Sequence, residues 1–444
     1  MTVTSLGPDF LWGAATSCYQ IEGAAAVDGR GPSIWDRFAR TPGKVLNGDT
    51  GDVACDHYHR YRDDVGLMRE LGLDAYRFSI AWPRVLPAGK GRPNSAGLDF
   101  YDRLVDSLLD AKIAPWVCLH HWDLPLALFD QGGWANRDVT GWFADYAHLM
   151  AGRLGDRVQH WFTFNEPNVL AWLGHATGVH APGIQDRDAT LSAVHHINLS
   201  HGKAVEAIRD AAPAGTEVGV IASLQPVHPA REDEAHAIAA ETIDLFWNLA
   251  MVDPLLLGRY PDPLVEMLGE RVQPGDVETI AQPLDLFGLN HYCRQYAVPD
   301  TTNPFGAGLT APPDDRPITD VGWRVDGSGL SEQIARIVQR YPKMPIYITE
   351  NGAAFPDQPD ATGTVHDPRR IAFLDEYLDA MAEAKAAGAD IRGYFVWSLM
   401  DNYEWELGYS KRFGIVYVDY ETQARIPKAS YHHYQSVIDR ARAG

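Results

Sequence analysis

Eight short runs of apolar, β-branched or aromatic residues recur along the chain, with longer amphipathic stretches between many of them, and no other feature narrows the fold as far. The runs begin at Phe10, Ala75, Ala114, His160, Glu217, Asp285, Ile346 and Ile391. The second reads Ala75-Tyr76-Arg77-Phe78-Ser79, the third Pro115-Trp116-Val117-Cys118-Leu119 and the eighth Gly393-Tyr394-Phe395-Val396-Trp397. Such runs are strands buried on both faces, and their alternation with helical stretches is the pattern of repeated βα units around a parallel sheet.

The intervening periodicity supplies the helices. After Asp56, read as an N-cap, Tyr58, Tyr61, Val65 and Met68 fall on one face and leave Arg60, Arg62, Asp63 and Asp64 for solvent. The same spacing recurs at Ile371, Leu374, Leu378 and Met381, with Gly388 just past the end. This predicts one α/β unit over 1–444, a (β/α)8 barrel with a single outer helix layer, since no linker separates two compositions. Three irregular stretches, 29–52, 299–329 and 353–368, each follow a predicted strand and are expected at the C-terminal mouth of the barrel.

At 444 residues, 45% hydrophobic and 22% charged, the chain has the composition of an ordinary globular protein with a sizeable core. A formal net charge of −21 argues against nucleic acid or anionic membranes as partners and favours a small neutral molecule. There is no apolar run of eighteen residues and no basic segment leading into an apolar one at the start, so a cytoplasmic protein is expected. The cysteines Cys18, Cys55, Cys118 and Cys293 are scattered and read as reduced thiols. The sequon at Asn198 lies in a helical stretch and reads as unglycosylated.

The informative polar residues stand where the apolar runs stop. The fourth run ends Thr163-Phe164-Asn165-Glu166-Pro167 and the seventh Ile348-Thr349-Glu350-Asn351-Gly352; the second carries Arg77, the third ends His120-His121-Trp122, the sixth Asn290-His291-Tyr292 and the eighth Trp397-Ser398. Singly, each reads as a helix cap, a rim ion pair or core. Jointly, in a closed barrel, they converge on one cavity with two carboxylates, amides and indoles. That set suits metal-free glycoside hydrolysis, in which one carboxyl group protonates the leaving oxygen, the other attacks or activates water, amides hold hydroxyls and indole faces pack on sugar rings. His57-x-His59 resembles a metal-ligand pair, but at a helix start in an Arg-rich segment it is expected on the surface, and no metal or other cofactor is expected. No phosphate-binding or nucleophile-elbow motif is present.

Thr163-Phe164-Asn165-Glu166-Pro167 and Tyr347-Ile348-Thr349-Glu350-Asn351-Gly352 resemble the two signature motifs of family-one glycoside hydrolases, the β-glucosidase family. Phe10 to Ser17 with Gln20-Ile21-Glu22-Gly23, and Trp397 to Trp405 through Gly408 to Gly414, are similar to its N- and C-terminal motifs. The resemblance implies a retaining β-glycosidase acting on terminal β-D-glucosyl residues, with β-galactosyl and β-fucosyl also accommodated, and a role in cellulose breakdown. Glu166 would be the acid/base and Glu350 the nucleophile, their carboxyl groups about 5 Å apart as retention requires. The charge of Glu350 is expected to raise the pKa of Glu166.

By the same resemblance, Arg77 and Tyr292 would orient Glu350, and Asn290 would support catalysis. Gln20, His121, Asn165 and Glu404 would bind sugar hydroxyls, with Asn165 at the 2-hydroxyl, and Trp122, Trp397, Trp405 and Phe413 would line the ring. Glu404 and Trp405 stand where relatives acting on 6-phosphosugars carry Ser and a Lys-Tyr pair, so unphosphorylated glycosides such as cellobiose or aryl glucosides are expected. Glu166 argues against thioglucosides, whose enzymes place Gln there. Many members have Trp where this chain has Asn168, which leaves Asn168, Trp172, His175, Trp323 and the stretch 299–329 as candidates for the leaving-group side. The alternatives are a transglycosidase, a 6-phospho-β-glucosidase, and a sugar-binding protein without turnover; oligomeric state is not legible.

Overall fold

The computed structural model describes residues 6–313 and 316–443. Eight parallel strands close into a barrel: β1 Leu11–Ala15, β2 Ala75–Ser79, β3 Ala114–His120, β4 His160–Asn165, β5 Glu217–Ser223, β6 Leu286–Asn290, β7 Ile346–Asn351 and β8 Ile391–Trp397. Each pairs with its sequence neighbours, and β1 closes the ring on β8 with Leu11 opposite Gly393 through Ala15 opposite Trp397. The strand starts agree with the apolar runs to within a residue. Four register shifts interrupt the ladders: between Phe162 and Asn165 on β4, between Ile348 and Glu350 against β6, and between Ile346 and Tyr347 and between Ile348 and Asn351 against β8. Irregularities at strand ends re-aim side chains, and the three at the C-terminal ends fall beside Asn165, Glu166 and Glu350.

The barrel interior is packed, not hollow. Ala75, Trp116, Phe162, Ile221, Leu286, Tyr347 and Phe395 fill it as one cluster separate from the core between strands and helices. The large rings require small neighbours, and a Cβ on Gly13 would lie 2.3 Å from the Phe395 ring. At the mouth, a Cβ on Gly352 would lie 1.6 Å from the carbonyl oxygen of Trp397, so only glycine lets the ends of β7 and β8 close together.

The outer helices include α1 His57–Leu71, α2 Ser95–Asp110, α3 Val139–Leu154, α4 Arg187–Ala211, α5 Glu234–Asp244, α6 Ser328–Arg340, α7 Pro368–Ala386 and α8 Ala429–Ala443. α1 corrects three expectations. Asp56 does not cap it: the residue is left-handed (φ 51), and its carboxylate binds the His59 ring and Arg60 instead of a backbone N–H. Asp64 is buried, not solvated, because His57 (2.7 Å) and Arg425 (2.9 Å) pair with it. His57 is therefore buried too, while His59 is exposed.

The three long stretches are also more ordered than expected. The first holds a helix, Ile34–Ala39, with a Ser33/Asp36 capping box, and the second holds the strand Ala307–Thr310 of a small three-stranded sheet. The third is bound down by buried ion pairs from Asp357 to Lys428 (2.6 Å) and from Asp367 to Arg370 (2.6 Å). The four cysteines are buried and free. Among the described residues, no helix is long and apolar enough to cross a membrane.

Candidate active site

A cavity of about 560 Å³ opens at the C-terminal ends of the strands, and Glu166 and Glu350 both line it. β4 delivers the first. It stops at Glu166, whose backbone turns left-handed (φ 49) while its N–H still bonds the Ile221 carbonyl (2.8 Å), and Pro167 then begins a helix. A left-handed glutamate is strained and needs the surrounding structure to hold it, as functional positions often do. β7 delivers the second from within the strand.

The amides and cations around the pair form one network. Arg77, fully buried on β2, makes an ion pair with Glu350 and donates to Asn165 Oδ1 at 3.1 Å. The Tyr292 hydroxyl donates to the other Glu350 oxygen at 2.5 Å. Asn290 donates from Nδ2 to Glu166 (2.7 Å) and to Asn165 Oδ1 (3.1 Å), and its own oxygen accepts from Thr349 (2.8 Å), which sets the amide's orientation. Asn165 Nδ2 donates to His121 Nε2 (3.0 Å), and Trp122 donates to the Asn165 carbonyl (3.0 Å).

This environment separates the two carboxyl groups. Burial first, and the charge of Glu350 second, push Glu166 up to about 8, against the opposing pull of Asn290 and Arg77. The neighbouring charge therefore contributes as expected, but desolvation leads. Burial also raises Glu350, opposed by Arg77 and the Tyr292 hydroxyl. Burial, and then the charge of Arg77, hold His121 well below the ordinary histidine range, so the ring is neutral. Glu404 is pushed well above the carboxylate range by burial and then by Glu406, Glu350 and Glu166.

His121, Trp122, Trp397, Glu404, Trp405 and Phe413 line the cavity as the sequence suggested. Trp405 is seated by Trp122 (4.5 Å), Trp35 (4.7 Å) and a parallel Tyr19 ring (6.1 Å, 8°). Gln20 is not on the wall. Its amide donates to Asn402 (3.0 Å) and to the Tyr403 carbonyl (2.8 Å) and its oxygen accepts from Ser17 (2.7 Å), so it holds the segment that carries Glu404. Of Asn168, Trp172, His175 and Trp323, suggested for the leaving-group side, Trp323 lines the cavity and the other three do not. Trp172 is buried against Phe246 (5.4 Å) and Phe305 (5.7 Å), His175 against the Leu170 carbonyl (3.1 Å), and Asn168 bonds the carbonyls of Ser223 and Trp247.

Sequence reasoning missed Trp247, Ser223, Gln225 and the His180–Glu406 pair (2.8 Å), all on the wall. Ser223 ends β5 and was within reach of the strand-end argument, and Glu406 lies two residues from Glu404. Trp247 sits in a helical stretch that nothing in the sequence directs toward the mouth. Of the three long stretches, 299–329 contributes Leu309, Pro312 and Trp323, while 29–52 backs the wall through Trp35 and 353–368 stays behind it.

Residues 3–443 match the family model described as Glycosyl hydrolase family 1. The chain is 45% identical over 97% of its length to a 1,4-β-D-glucan glucohydrolase of Thermotoga neapolitana, 97% of which is covered. It is 45% identical, again over 97% of both, to a bifunctional β-D-glucosidase/β-D-fucosidase of Bifidobacterium breve. A β-glucosidase of Thermotoga maritima, solved in complex with glucoimidazole, superimposes with a TM-score of 0.92 at 43% identity over 98% of each chain.

Proposed function

Because this chain belongs to glycosyl hydrolase family 1, we propose that Glu166 and Glu350 are the acid/base and nucleophile of a retaining β-glucosidase. The enzyme removes terminal non-reducing β-D-glucosyl residues by double displacement. In the first step a Glu350 oxygen bonds the anomeric carbon, the glycosidic C–O bond breaks, and the departing oxygen takes the Glu166 proton. In the second, water attacks the glycosyl-enzyme, Glu166 takes its proton, and Glu350 leaves with the electron pair. The sugar emerges with its β configuration.

The observation that carries this assignment is the division of labour in one cavity: a Glu166 pushed up to about 8, beside a Glu350 bound by Arg77 and Tyr292. The first is protonated near neutral pH and can donate. The second is oriented by a cation and a hydroxyl that favour its charged form. Once Glu350 is esterified its charge disappears, so the pKa of Glu166 falls and the same group serves as base.

Asn165, tied to Arg77, Asn290 and His121, is placed for a hydrogen bond to the 2-hydroxyl that tightens as positive charge develops on the ring. His121, Trp122, Trp397, Glu404, Trp405 and Phe413 enclose the non-reducing sugar. Glu350, held by Arg77, and Glu406, kept ionised beside His180, line the cavity, which disfavours a phosphate dianion and supports small neutral substrates such as cellobiose or aryl glucosides. Acceptance of β-galactosyl and β-fucosyl residues belongs to this reading, the latter supported by the dual naming of the Bifidobacterium breve relative. So do a single catalytic domain over 1–444, a part in cellulose breakdown, and a cytoplasmic setting, which four buried free thiols favour.

The stereochemistry tests the mechanism. With an aryl β-glucoside followed by NMR, the first-formed glucose is expected as the β anomer, mutarotating later. An α anomer at early times would rule out the double displacement.

A further inference from the structure

His180 and Glu406 reach the cavity from opposite sides of the barrel. His180 belongs to the excursion that leaves β4 through Glu166, and Glu406 to the short helical turn Trp405–Ser410 that follows β8; the two strands stand diametrically opposite in the closed ring. Their side chains meet on the cavity wall, with His180 Nε2 at 2.8 Å from a Glu406 carboxylate oxygen. The histidine side chain is 10% exposed and that of the glutamate 29%, so the pair is largely withdrawn from water and only partly screened. Burial opposes ionisation of Glu406, but His180 outweighs it and holds the carboxyl below the ordinary glutamate range.

The pair backs two tryptophans whose backbone is one that bulky residues rarely adopt. Trp122 has φ 76 and Trp405 φ 49, and a left-handed aromatic residue persists where its surroundings hold it. Their rings pack at 4.5 Å, and the His180 ring lies 5.2 Å from Trp122, 5.5 Å from Trp35 and 6.4 Å from Trp405. Each partner is braced from behind. The His180 N–H donates to the Leu173 carbonyl (3.1 Å) and its carbonyl accepts from the Gly183 N–H (2.8 Å), while the turn that carries Glu406 is fastened to the stretch 29–52 by the Tyr409 N–H on the Asp49 carboxylate (3.0 Å).

On the basis of the β-glucosidase reading above, we propose that His180 and Glu406 are positioning residues whose ion pair fixes the spacing of Trp122 and Trp405, and with it the hold on the non-reducing sugar. The pair acts on the grip and not on the proton transfers. A wall that holds the sugar equally in the ground and transition states sets KM, and loosening it leaves kcat nearly unchanged.

The test measures kcat and KM for 4-nitrophenyl β-D-glucoside, and the Kd of glucoimidazole by calorimetry, in wild type, Glu406→Gln, Glu406→Ala, His180→Phe and the double variant His180→Phe/Glu406→Ala. Phe keeps a ring beside Trp35 and Trp122 and removes the N–H. KM and Kd are expected to rise together about three- to tenfold in Glu406→Ala and in His180→Phe, the effect of one partly screened ion pair, with kcat changed by less than about twofold. Glu406→Gln, which still accepts from His180 but lacks the charge, should show a smaller rise, and the double variant should be no worse than His180→Phe. Unchanged KM and Kd in His180→Phe would reduce the histidine to ring packing and overturn the proposal, as would losses confined to kcat or a double variant that multiplies the two single losses. Turnover of the aryl glucoside by wild type reports separately on the underlying activity.

Discussion

At the scale of single residues, function depends on how burial divides work among like groups. Glu166, Glu350 and Glu404 are chemically identical, yet each sits in a different field: Asn290 and the charge of Glu350 at the first, Arg77 and Tyr292 at the second, three other glutamates at the third. Because Glu166 must be protonated to donate and its pKa is raised to about 8, kcat/KM for an aryl glucoside should hold through neutral pH and decline roughly tenfold per pH unit above it. The sign follows from the raised value: activity is lost as pH climbs through it. A Glu166→Gln variant, measured over the same range with a poor leaving group, should lack this basic limb and retain ~10⁻² to 10⁻⁴ of the activity. That Glu166 and Glu350 share one cavity was legible because strand ends in a barrel converge. Gln20 and Asn168 were misplaced because a carboxamide that bonds a neighbouring carbonyl looks, in sequence, the same as one that faces a ligand.

At the scale of elements, the mouth is held by segments remote in sequence. The stretch carrying Glu404 and Trp405 is fixed through Asp401, whose carboxylate accepts from Lys428 (2.8 Å), Arg412 (2.7 Å) and the Gly414 N–H (3.0 Å). Lys428 also reaches Asp357, which pairs with Arg370. The stretch 353–368 is thus a clamp behind the site, where the sequence suggested a rim. Asp357, Arg370, Asp401 and Lys428 are buried, and deleting one partner of such a set leaves others uncompensated. Lys428→Met should therefore cost about 3–5 kcal/mol in denaturant unfolding and raise KM through the loosened Glu404 segment; a loss of only a few tenths with unchanged KM would dismiss the clamp. Helix periodicity revealed α1 and α7, but a charge at a helical position does not announce its partner. Asp64 read as solvated because Arg425 lies 361 positions away along the chain.

At the scale of the whole molecule, the barrel brings Glu166 from β4 and Glu350 from β7 to one cavity with β5 and β6 between them. Closure was legible because eight buried strands in alternation with helices have few other solutions. The rest of the cavity wall was not, because it is assembled from a π turn, a short extra sheet and loop residues with no repeating pattern. The central claim is that these two carboxyl groups divide the work, and azide rescue of Glu350→Ala and Glu166→Ala on an activated aryl β-glucoside tests it most directly. The account predicts an α-glucosyl azide from Glu350→Ala, because the small anion enters from the vacated nucleophile side. It predicts a β-glucosyl azide from Glu166→Ala, because azide intercepts the glycosyl-enzyme without needing a base. Wild-type-like turnover by Glu350→Ala without azide, or the same anomer from both variants, would contradict it.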